Sequence, residues 1–147
     1  MFRLAFFLGL LLTSQSARAQ EQSCPVAITR LESSSSATAG LMAAMVGAGS
    51  SNTYLILKYQ NNSKQPVTGV RFVVAYLNSV REPIDTENIT TPIHKLKPGK
   101  SMSFVRADES ITGGLKMELL GWVAKVMFSD GTAWEDNGKH SCISVVK

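Results

Sequence analysis

The chain has 147 residues, of which 44% are hydrophobic and 18% charged, with a formal net charge of +4. That length fits one domain, large enough to bury roughly two-thirds of its unfolded surface. Lysines and arginines are scattered with no two adjacent, so the sequence shows no basic stripe of the kind a nucleic-acid binder carries; only the fold can gather them.

Met1–Ala19 reads as a secretory signal peptide. Arg3 gives a positive start, Leu4–Leu12 is an uninterrupted apolar run, and Ala17-Arg18-Ala19 places small residues where a signal peptidase reads. Cleavage is expected before Gln20. The run is too short to cross a bilayer, which takes roughly 20 residues, and no other stretch of the mature chain is long and apolar enough. Glu21-Gln22-Ser23 before Cys24 is not a lipobox. Cleavage removes two of the 15 basic residues and none of the 11 acidic ones, leaving +2 on a domain of residues 20–147.

Two cysteines, Cys24 and Cys142, stand near the ends of that domain. An exported protein favours a disulfide between them. If they were reduced, Cys24, His140 and Cys142 could instead ligate a soft metal, since His140 and Cys142 share a face of any strand.

Cys24–Glu32 reads as a first strand, with Pro25 at its start. Ser33–Ser51 is small, uncharged and rich in Gly, Ala and Ser, and reads as a flexible insertion, with a short helix over Thr38–Val46 as the alternative. Within it Leu41, Met42, Met45 and Val46 are the candidate interaction residues, an adaptable apolar tip for a partner. Thr53–Gln60 is a second strand, with Leu55, Leu57 and Tyr59 on one face. The polar link Asn61–Pro66 predicts a hairpin to the strand that follows.

That strand, VRFVVAYLN from Val70 to Asn78, is expected at the centre of the fold. Val70, Phe72, Val74 and Tyr76 form its core face, and the second face is also mostly apolar. Ser79–Asn88 reads as a loop or change of sheet and Thr90–Lys97 as a short strand. Pro98-Gly99 is a type II turn signal, and Ser101–Ala107 returns with Met102 and Phe104 toward the core. Met117–Phe128 is the third apolar stretch. There, strict alternation puts Trp122, Ala124, Val126 and Phe128 on one face and Val123, Lys125 and Met127 on the other. Asp130-Gly131 turns the chain to Trp134, Asn137-Gly138 turns it again, and Ser141–Val146 is the last strand. Trp122 and Trp134 are both expected in the core.

Seven to eight short strands with turn signals between them and little helix predict an all-β, antiparallel sandwich. The segments KYQNNSKQPVTGVRFVVAYLN, LKPGKSMSF and VMFSDGTAW resemble parts of immunoglobulin-like or fibronectin-type-III-like domains of secreted bacterial proteins, over roughly Thr53–Trp134. The resemblance implies an immunoglobulin-like sandwich. The chain departs from antibody-type domains in carrying its cysteines at the ends.

No phosphate loop, nucleophile elbow or zinc-protease motif appears. The histidines are His94 and His140. Asp108-Glu109 and Glu135-Asp136 are neighbours that diverge on a strand and read as solvated loop charge. Trp134 and Tyr54, if exposed, would make an aromatic platform for a sugar or peptide. Asn61 and Asn88 match the glycosylation acceptor pattern. The reading that results is a secreted or periplasmic, non-enzymatic module without cofactor, which binds a protein or cell-envelope component. The alternatives are a metal-handling protein using Cys24, His140 and Cys142, and an enzyme acting on envelope polymers through carboxylates.

Overall fold

The computed structural model describes residues 23–35, 40–41, 44–45, 47, 53–107 and 118–146. The proposed signal peptide and Asp108-Glu109 lie outside them. The described residues form an all-β sandwich of eight strands: β1 Val26–Ser34, β2 Tyr54–Asn61, β3 Val67–Leu77, β4 Pro83–Leu96, β5 Ser101–Ala107, β6 Glu118–Phe128, β7 Ala133–Glu135 and β8 Ile143–Val146. One sheet has the order β1-β2-β5. The other has the order β4-β3-β6-β7, with β8 also paired to β6, and every pairing is antiparallel.

The centre of the second sheet is β3, flanked by β4 and β6. Its β-branched and aromatic residues suit a pleated surface packed on both sides. Val70, Phe72, Val74 and Tyr76 are at most 1% exposed. They meet Leu55, Leu57 and Tyr59 of β2 and Leu31 of β1, all fully buried. The Tyr59 and Phe72 rings cross this interface with centroids 4.9 Å apart.

Strands β2 and β3 do not form the hairpin their short link suggests. Each has two other partners, and the Asn61–Pro66 link carries the chain from one sheet to the other. The two strands meet face to face because both carry a largely apolar inner face. Buried Asn61 fixes the arch: its amide donates to the carbonyls of Gln65 and Leu96, and its Oδ1 accepts from the Ser63 amide and hydroxyl. All four hydrogen-bonding positions of that side chain are filled, as burial of a polar group requires.

Of Ser79–Asn88, expected as a loop or change of sheet, the residues from Pro83 onward are strand. After a tight turn at Asn78–Glu82, β4 runs unbroken for 14 residues. It is an edge strand, paired to β3 alone. Polar Asp85, Thr86 and Asn88 therefore face solvent at no cost, and Pro83 sits at its first position, where a missing N–H is tolerated.

In β6 the strict alternation fails at Ala124. Arg71 pairs with Lys125 but Phe72 pairs with Val123, so Ala124 is the extra residue of a β-bulge. The bulge moves Leu119, Gly121, Val123 and Val126 to the core face and turns Trp122 outward. Trp134 is buried as expected, whereas Trp122 leaves the core and lies against the His140 ring, centroids 4.5 Å apart. In β5, Phe104 packs on the core but Met102, nearer the sheet's end, is exposed. The turn chemistry is as the sequence predicts: Gly99, Gly131 and Gly138 take φ of 72°, 85° and 85°.

Candidate functional site

Cys24 and Cys142 form a disulfide, with Cα atoms 5.4 Å apart. Cys24 stands just before β1 of one sheet and Cys142 just before β8 of the other, so the bond joins the two layers. Both sulfurs are thereby committed, and neither is a thiolate that a soft metal could take. His140 points elsewhere: its Nδ1 lies 3.2 Å from Asp136 Oδ2, and its ring rests on Trp122. Among the described residues no group of three His, Cys, Asp or Glu side chains is placed to hold a metal ion.

The neighbouring carboxylates Glu135 and Asp136 separate. Glu135 is exposed beside Lys125 at 3.2 Å and Arg71 at 3.6 Å. The Asp136 side chain is 6% exposed and accepts the backbone amides of Gly138 and His140. Two other carboxylates do structural work. Glu87 on β4 pairs with Arg106 on β5 across the gap between the sheets and accepts the Tyr76 hydroxyl. Asp130 accepts the Thr132 amide and hydroxyl in the β6–β7 turn, and these hydrogen bonds hold its carboxyl below the usual range. Tyr59 donates to Thr91, and burial pushes its phenol above the ordinary value.

Trp134 and Tyr54 are 5% and 6% exposed, so they form no aromatic platform. Asn61 is not an accessible glycosylation acceptor, since both amide hydrogens are used internally; Asn88 is exposed on β4.

Of the four apolar tip residues, Leu41 and Met45 are described; Met42 and Val46 lie outside. Gly40, Leu41, Ala44 and Met45 have helical backbone. Gly40 lies against the Tyr54 ring, where an added methyl would stand 3.6 Å from Cε2. Tyr54, Ile56 and Val105 form a second, smaller cluster on the outer face of the β1-β2-β5 sheet. Above it Leu41 and Met45 are 65% and 80% exposed. At spacing i, i+4 on a helix they share a face, and that face is turned away from the domain.

No protein-family model and no curated protein matches the chain. Among solved structures it is similar to a hypothetical protein of Peptoclostridium difficile 630, at TM-score 0.55 and 8% identity over 79% of this chain and 88% of that one. At that identity the likeness concerns the fold.

Proposed function

We propose that this is an exported, non-enzymatic binding module of the immunoglobulin-like or fibronectin-type-III-like kind, retained at the cell envelope through Leu41 and Met45. The observation that carries this reading is the exposure of Leu41 and Met45 on a helical segment seated on the sandwich by Gly40. Large apolar side chains presented side by side on an ordered support are a recurrent form of partner contact. Export is supported by the disulfide, which persists in oxidising compartments, and by the Met1–Ala19 pattern. No helix among the described residues is long and apolar enough to cross a membrane. The order β1-β2-β5 against β4-β3-β6-β7 supports the family resemblance.

The test is retention of the exported protein on isolated envelopes of the producing cell at high salt, where electrostatic attraction to lipid is screened. The double variant Leu41→Gln/Met45→Gln is expected to keep its melting temperature, because exposed substitutions of this kind stay within about 0.5 kcal/mol, and to lose retention. Unchanged retention refutes the reading.

A further inference from the structure

Three turns meet at the end of the sandwich opposite the Asn78–Glu82 turn. The 62–66 arch, the 97–100 turn and the 129–132 turn are tied together by hydrogen bonds. The Asn61 amide donates to the Lys100 carbonyl at 3.0 Å, the Gly99 amide to the Asn61 carbonyl at 2.7 Å, and the Ser129 amide to the Pro66 carbonyl at 2.9 Å. This rigid end presents Lys64, Lys97 and Lys100, all exposed, with Lys95 exposed at the end of β4. Among the described residues none of these four is in an ion pair closer than 4 Å. The carboxylate within these turns is Asp130, already held by Thr132. The opposite end carries Glu82, Asp85 and Glu118, with Arg81 bound to Glu118. Among the described residues, then, lysines gather at one end and carboxylates at the other.

We infer that the lysine end is a docking surface for an anionic phospholipid bilayer. The cations are all lysines, point charges on flexible stems that suit a field of headgroups better than bidentate recognition of one phosphate. The three turns contain no aromatic residue on which a base could stack. Met102 and Met127, each 37% exposed, lie two residues from the 97–100 and 129–132 turns. A polybasic surface of this kind is attracted to anionic lipid, each lysine near the surface strengthening binding about fivefold. The inference concerns the end away from Leu41 and Met45 and does not rest on their role.

The experiment is co-sedimentation of the exported, disulfide-bonded protein with vesicles of phosphatidylcholine alone or mixed with phosphatidylglycerol, at low and high salt. Binding is expected to the mixed vesicles only and to weaken as salt rises. Lys64→Gln/Lys97→Gln/Lys100→Gln is expected to bind on the order of 100-fold more weakly, with the wild-type melting temperature confirming its fold. Leu41→Gln/Met45→Gln is expected to bind these vesicles as wild type does. Absence of binding at low salt, equal binding by the lysine variant, or tighter binding to a DNA duplex than to the vesicles overturns the inference. Loss of vesicle binding in the Leu41/Met45 variant alone would do so too, by moving the contact to the other end.

Discussion

The two open sides of the sandwich are closed by different chemistry. On the side where β1 meets β6 and β8, the layers are joined by the Cys24–Cys142 bond and packed on apolar surface. Gly121 of β6 makes this approach possible: a methyl group there would stand 2.7 Å from Leu31 Cδ2 and 3.3 Å from Ile28 Cδ1. On the side where β4 meets β5, the ties are polar, with Arg106 paired to Glu87 and, further in, the Tyr59 hydroxyl bonded to Thr91. A covalent bond acts largely by restricting the unfolded chain. The polar ties must exceed the cost of drying their own charges. The difference teaches that two sides of one sandwich can be closed by unlike means, of which the covalent one is expected to contribute more to stability.

The comparison can be broken first at its strong side. Replacing both cysteines with alanine is expected to lower unfolding stability by about 2–5 kcal/mol, given a sequence separation of 118. Urea titration with and without the bond measures it; a loss well under 1 kcal/mol would mean the apolar packing alone closes that side. The weaker side is sharpened by a double-mutant cycle of Arg106→Met and Glu87→Gln. Because both side chains are about 30% exposed, a coupling of about 1 kcal/mol that falls with salt is expected. A coupling as large as the disulfide's contribution would reverse the contrast.

An effect of similar size concerns pH. The folded-state pKa of Tyr59 is raised by burial, so its contribution is full below the unfolded value near 10 and is lost as pH rises through the alkaline range. Tyr59→Phe is expected to flatten that alkaline loss and to cost about 1 kcal/mol at neutral pH for the missing hydrogen bond. An unchanged alkaline slope would assign the loss to other groups.

Where residues act on their immediate neighbours, the fold was legible in advance. Alternation marked the core face of β3, and Pro98-Gly99, Asp130-Gly131 and Asn137-Gly138 marked turns, because positive φ is a property of one or two residues. The end cysteines and the expectation of export predicted the bond that forms. The bulge at Ala124 was not legible, since an extra residue shows only against a partner strand, and it reversed the place of Trp122. Polar β4 concealed a strand, because an edge position removes the need for apolar residues on both faces.

The candidate surfaces divide in the same way. Leu41 and Met45 stood out in sequence because apolar residues in an uncharged segment are conspicuous. Their support by Gly40 against Tyr54 was not visible, being a contact between distant residues. The sequence alone determined an all-β chain, its turns and its pairing cysteines, through conformational preferences that each residue carries with it. The tertiary structure alone decided that β2 and β3 lie in different sheets and that isolated lysines share one end. Both depend on which surfaces the closed sandwich brings together, and no single stretch of chain contains that information.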